Sequence, residues 1–231
     1  MIFKLSDKLI FPDPYYGDPD GLLAIGGDLS VDRLLLAYHN GIFPWYSFRS
    51  AFGPKWYCPL QRFVIFPDEI HISHSMRTLI NSGRYHMSMN EAFGEVIRWC
   101  GKVDGRDTEN GAWLGDEIIN AYSKLNEKGY AKSVEVWEGE SLVGGLYGVC
   151  INNCFIGESM FSLVPSGSKL ALIYLAGQYQ KLPYSLIDCQ LETPHLRSMG
   201  GRFISYANYM KILNKLEDKP IQEKDDDDNP E

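Results

Sequence analysis

The sequence predicts an α+β fold, with a small N-terminal unit ahead of a domain built on a mainly antiparallel sheet. Three observations carry this. Apolar residues recur at helical spacing in four stretches before residue 130. Between residues 132 and 162 the period changes to two across three segments joined by short turns. A helix apolar on most sides and a further strand follow, so helices and strands are segregated rather than alternating.

Taken in order, "GLLAIGGDLSVDRLLLAYHNGIFPW" holds the first helix. Ser30 is its N-cap, Leu34, Leu35 and Tyr38 share one face, and Gly41 stands just past the end. "IFPWYS" reads as a rigid loop, because Pro44 fixes its own φ and restricts Phe43. "PKWYCPLQRFVIFP" reads as an edge strand between proline stops and as the passage between two units. The boundary falls near residue 60, giving an N-terminal domain over 1–60 and a second domain over 61–216. Short helices are expected at 75–80 and 90–100, the latter capped by Asn90. Another covers 116–128, with Ile118, Ile119, Tyr122 and Leu125 at helical spacing and Gly129 at its stop.

"KSVEVWE", "LVGGLYGVC" and "CFIGESMFS" are three strands, joined at Gly139 and at Asn152-Asn153. An antiparallel meander is the economical arrangement. Gly144-Gly145 inside the second strand marks a bulge or a close backbone approach. "SGSKLALIYLAGQYQ" is a helix buried against that sheet. "YSLIDCQ" is a strand, 195–198 a turn of helix, "RFISY" a last strand and 207–216 a last helix.

At 231 residues the chain can bury a full core. The net charge of −8 is concentrated at one end: residues 217–231 hold eight acids and two lysines, leaving 22 acids and 20 bases elsewhere. Four adjacent aspartates repel one another and bury nothing, so 217–231 reads as a disordered acidic tail. The near-neutral body does not announce a polyanion partner. Five cysteines, odd in number and without CxxC spacing, argue against zinc and against a disulfide scaffold. Charges at Lys4, Asp7 and Lys8 interrupt the opening residues, and no apolar run reaches membrane-spanning length. A reduced cytoplasmic protein without membrane association is expected.

Candidate chemistry gathers in three places. In a regular strand Asp188 and Gln190 share a face while Cys189 points the other way. The acid and amide either face a ligand at the strand end or cap a neighbouring loop, and Cys189 reads as a packed, inert thiol. Glu158 in "GESMFS" sits in an otherwise apolar strand, where an isolated carboxylate is costly, so a cationic group, from the protein or from a ligand, should meet it. Tyr38, Trp45, Trp113 and Tyr122 read as core aromatics, and the loop residues Trp45 and Trp113 alternatively as stacking platforms for nucleic-acid bases. Arg33, Arg49, Lys55, Arg62, Arg77 and Arg84 interleave with such aromatics, as candidate phosphate contacts or as solvated surface charges. His195 stands near Gln190 and serves either a site or a helix cap. The histidines have no metal-ligand spacing, and no metal is expected.

"GLLAIGGDLS", "GIFPWYS", "WLGDEIINAYSKL", "SVEVWEGESLVGGLYGV", "FIGESMFS", "SKLAL" and "LIDCQ", in that order, resemble the leucyl/phenylalanyl-tRNA–protein transferase family over most of residues 20–203. The resemblance implies a small N-terminal domain joined to a domain of the GCN5-related acetyltransferase type. It implies transfer of Leu or Phe, and Met less readily, from aminoacyl-tRNA to the α-amino group of proteins beginning with Arg or Lys. The product is an N-terminal degradation signal, and neither ATP nor a cofactor is needed. It further implies Asp188, Gln190 and Glu158 as catalytic residues and Tyr38, Trp45, Trp113 and Tyr122 at the aminoacyl-adenosine. Leu146, Phe155, Met160 and Ile187 would form the pocket for the transferred side chain. Arg62, Arg77 and Arg84 would then meet tRNA phosphates, and a monomer is expected. The principal rival is an acetyl-CoA-dependent N-acetyltransferase. Such enzymes carry an Arg/Gln-x-x-Gly-x-Gly/Ala loop before the central helix, whereas "SLVPSGSKLAL" lacks that spacing.

Overall fold

The computed structural model describes residues 2–45, 53–102 and 115–216, so the acidic tail, Trp113 and Arg49 lie outside the described residues. Local chemistry sets the helix starts. Ser30 Oγ accepts from Arg33 N at the head of α1 (Val31–His39), and Ser73 does the same for Met76 N at α2 (His74–Asn81). Helices α3 (Phe93–Lys102), α4 (Asp116–Glu127) and α5 (Gly167–Tyr179) follow. The short α6 (Pro194–Ser198) is capped by Thr193, and α7 (Tyr206–Leu213) by Ser205.

Strands β1 (Phe3–Leu5), β2 (Leu22–Gly26), β3 (Phe43–Trp45) and β4 (Lys55–Tyr57) form a four-stranded sheet in the order β1-β2-β4-β3. A seven-stranded sheet is built from β5 (Gln61–Ile65), β6 (His86–Met89), β7 (Ala131–Glu138), β8 (Ser141–Ile151), β9 (Cys154–Ser162), β10 (Leu186–Gln190) and β11 (Arg202–Ser205). Its order is β11-β5-β10-β9-β8-β7-β6, antiparallel throughout except where β10 runs parallel to β9. The architecture is α+β with mixed sheets.

Three expectations are corrected. "PKWYCPLQRFVIFP" is two strands in different sheets, and β5 is interior, flanked by β10 and β11. Its buried run Arg62–Ile65 fits a central position. "IFPW" is not a loop, because residues 43–45 pair with β4. Asn90 does not cap α3. It sits at φ +62°, and its Oδ1 accepts from Asn126 Nδ2.

The large sheet is covered on both faces. α5 lies over β7 and β8, its Leu170 and Leu175 packing with Val134, Val136 and Leu146. Gly144 permits that approach, since a Cβ there would lie 3.0 Å from the Gly167 backbone. On the other face α3 and α4 pack in a core that also contains Leu23 and Trp56 of the small sheet and Tyr38 of α1. One continuous apolar cluster therefore joins the small sheet to the large one. Among the described residues no helix is long and apolar enough to cross a membrane.

Candidate active site

Two local irregularities shape the site. In the β8–β9 hairpin, Tyr147 faces Ser159 while Gly148 faces Gly157, leaving Glu158 as the extra residue of a β-bulge. The bulge reverses the alternation along β9, so Phe155 and Met160, of opposite parity in the sequence, pack into the same cluster. At the end of β10 the register against β5 shifts between Asp188 and Gln190, and Gln190 takes a left-handed φ of +62°. Asp188 Oδ1 accepts from Gln190 N at 2.8 Å, the side-chain-to-backbone bond that lets an Asp stabilise such an elbow.

These irregularities open onto a cavity of about 590 Å³. Leu146, Phe155, Met160, Leu172, Leu175 and Ile187 form its apolar wall. Glu158 and Gln190 stand at its polar end, His195 also lines it, and Pro44 and Trp45 form part of the lining from β3. Trp45 is 44 % exposed and meets Tyr57 edge-on at 6.0 Å.

Glu158 is held by three neutral donors. Oε1 accepts from Tyr38 Oη at 2.7 Å and from Gln190 Nε2 at 3.3 Å, and Oε2 accepts from Tyr122 Oη at 2.8 Å. Within the protein the partners of this carboxylate are two phenols and an amide, not a cation. Burial pushes its pKa up to about 7 against the pull of those hydrogen bonds, and the charge of Asp188 adds to the rise. Burial and the neighbouring Glu158 hold both phenols well above their usual range, so they stay protonated as donors.

Asp188 and Gln190 do not share a face as a regular strand would have them. The Asp188 side chain is fully buried and pairs with Arg62, Nε to Oδ2 at 2.9 Å. Only the Gln190 side chain reaches Glu158. Cys189 packs against the cluster that walls the cavity, its thiol pushed up by burial and then by Asp188. A thiol so disfavoured as thiolate is a poor nucleophile. His195 Nε2 is buried without a hydrogen-bond partner, and burial, with Lys169 adding to it, lowers its pKa. Among the described residues no three His, Cys, Asp or Glu side chains are grouped to hold a metal ion.

The family model for the leucyl/phenylalanyl-tRNA protein transferase matches residues 64–214, and the model for the N-terminal domain of the same transferase matches 27–60. The chain belongs to the leucyl/phenylalanyl-tRNA protein transferase family. A transferase of that name from Desulforapulum autotrophicum is 46% identical over 222 residues, 96% of each chain. One from Flavobacterium psychrophilum is 48% identical over 211 residues, 91% of this chain and 99% of that protein. A third, from Syntrophobacter fumaroxidans, is 44% identical over 212 residues, 92% of this chain and 89% of that protein.

In this transferase-family chain the four residues assigned to the side-chain pocket meet around one cavity. The other groupings fare differently. Tyr38 and Tyr122 are each 1 % exposed, and their hydroxyls hold Glu158. Arg62 is 1 % exposed and its guanidinium donates to Asp188 and the Gly41 carbonyl, so it does not present to a phosphate at the surface. Arg77 is exposed on α2, with Nε donating to the Ile72 carbonyl. Arg84 is exposed and paired with Glu138 at 2.8 Å. Neither lines the cavity. The roles of Arg62 and of Leu172 and Leu175 on α5 escaped the sequence reading. The only signal for Arg62 was a lone cation in the apolar run "RFVIF".

Proposed function

We propose that the protein transfers leucine or phenylalanine, and methionine less readily, from aminoacyl-tRNA to the α-amino group of proteins beginning with Arg or Lys. The result is an N-terminal degradation signal. One observation carries the reading: an apolar cavity of about 590 Å³ ends at a carboxylate and an amide hydrogen-bonded to each other. The apolar wall suits a branched or aromatic side chain, and Met160 adapts to either shape. The α-ammonium first gives up one proton to solvent. The free amine nitrogen then attacks the ester carbonyl, the bond to the ribose oxygen breaks, and a second proton passes from the nitrogen to that oxygen. The ester is already activated, so ATP has no part.

Glu158 attracts the incoming ammonium or the Arg/Lys side chain. The Gln190 amide, set by Asp188, fixes the approach. A neutral amide is a weak base, so its contribution is orientation, which supplies up to about 7–11 kcal/mol when geometry is good. Residues 1–60 form the N-terminal domain in this reading and 61–216 the catalytic one. The latter is of the GCN5-related acetyltransferase type, with the β7–β9 meander, α5 and then β10 beside β9. The protein acts as a cytoplasmic monomer.

The start of α5 argues against the acetyl-CoA reading. Ser162 Oγ accepts from Ser168 N at 2.8 Å, and Gly167 lies against the Gly144 backbone, so the place for a pyrophosphate is closed. Leucyl-tRNA mixed with an Arg-initiated peptide without ATP should add one leucine, read by mass spectrometry. An Ala-initiated peptide or Gln190→Ala protein should leave the peptide unchanged. An acetyl group gained from acetyl-CoA, with no leucine gained from tRNA, would overturn the reading.

A further inference from the structure

Arg62 occupies an unusual place for a cation. Its side chain is 2 % exposed, and its guanidinium lies between the rings of Phe43 at 4.9 Å and Tyr209 at 4.7 Å. Nε donates to Asp188 Oδ2 at 2.9 Å and Nη2 to the Gly41 carbonyl at 2.6 Å. Gly41, at φ +68°, ends the turn after α1 and leads into β3 and Trp45. Asp188 in turn holds the Gln190 backbone, Gln190 reaches Glu158, and Glu158 is held by Tyr38 of α1. Gly41 N donates to the Tyr38 carbonyl, which closes the circuit.

Stability alone gives no reason for a charge here. A buried ion pair replaced by well-packed apolar side chains is often neutral or stabilising. What an apolar pair lacks is a rigid fork that fixes two distant backbone segments at once. We propose that Arg62 is a positioning residue for the transfer step. It ties the Gly41–Trp45 segment to the Asp188–Gln190 elbow, so that the wall of the cavity and its amide keep a single geometry. This rests on the transfer reaction proposed above.

The test uses the full chain with Arg62→Lys, Asp188→Asn and the double variant. The kcat and the KM for leucyl-tRNA and for an Arg-initiated peptide are measured beside thermal melts. Lysine keeps the charge but reaches only one of the two acceptors, so R62K should melt cooperatively. Its kcat should fall on the order of 100-fold, the loss expected for a displaced reacting group, with both KM values nearly unchanged. The double variant should lose no more than the worse single variant, because both act through one elbow. Arg62→Met, if it folds, should match R62K in kcat. A merely structural arginine would lower the melting temperature and leave kcat of the folded protein unchanged, which overturns the proposal. So would losses that multiply in the double variant, or a loss confined to the KM for leucyl-tRNA. Wild-type protein that transfers no leucine would sink the proposed function itself, whereas active wild type with an unimpaired R62K sinks only the role of Arg62.

Discussion

Glu158→Gln separates the electrostatics of the site from its shape. The wild-type carboxyl has an ordinary value of 4.5 and is pushed up to about 7 in the folded protein, chiefly by burial. The folded chain therefore holds this proton more tightly than the unfolded one. The stability it contributes is complete below 4.5 and is lost as pH rises through about 7. Between those limits the full linkage is about 3 kcal/mol. Glu158 is part-exposed at the cavity wall, where water screens it, so about 2 kcal/mol is the realistic loss. Glutamine cannot ionise and removes the dependence. For a chain of this length about 1 kcal/mol moves the melting temperature by roughly 2–4 °C. E158Q should thus gain roughly 4–8 °C relative to wild type between about pH 5 and about pH 8. Scanning calorimetry of both proteins across that range measures it. Melting curves that stay parallel would refute the claim that burial holds this carboxyl partly protonated near neutrality.

Three further outcomes follow from the same geometry. Leu146→Trp shrinks the apolar cavity, and transfer of phenylalanine should fall by roughly 10–200-fold, more than transfer of leucine; competition between the two aminoacyl-tRNAs reads the ratio. Gly148→Ala places a Cβ 2.2 Å from the Ile156 carbonyl and 2.5 Å from the Phe155 ring. It should cost about 3 kcal/mol or more in urea unfolding. Cys189→Ser should keep transfer within about threefold, because the buried thiol supplies no nucleophile; complete loss of transfer would reopen that assignment.

Much of this was legible in the residues. The Ser30 cap and Gly41 stop frame α1, and alternation marks β7 to β9, because caps and periodicity are local signals. The site was legible as a set of residues but not as an arrangement. Period-two reasoning assumes a regular strand, and both Glu158 and Gln190 sit where the strand breaks register. A bulge is decided by pairing with a partner strand, which no single segment encodes. Arg62 was misplaced for a similar reason: "QRFVIF" does not reveal that β5 is central or that Asp188, far along the chain, neutralises the charge. The small sheet went unread because its strands are three to five residues long, too short for a period to register.

The interior position of β5 governs when the Asp188–Gln190 elbow can form. Residues 61–65 leave the ribosome well before their partners on both sides, 186–190 and 202–205. At roughly 5–20 residues per second this strand waits on the order of 10 s with both edges unpaired. Arg62 waits with it for Asp188. The interval leaves "FVIF" exposed to aggregation during synthesis. It also means that the Asp188–Gln190 elbow cannot be aligned on β5 until residues 186–190 have been made.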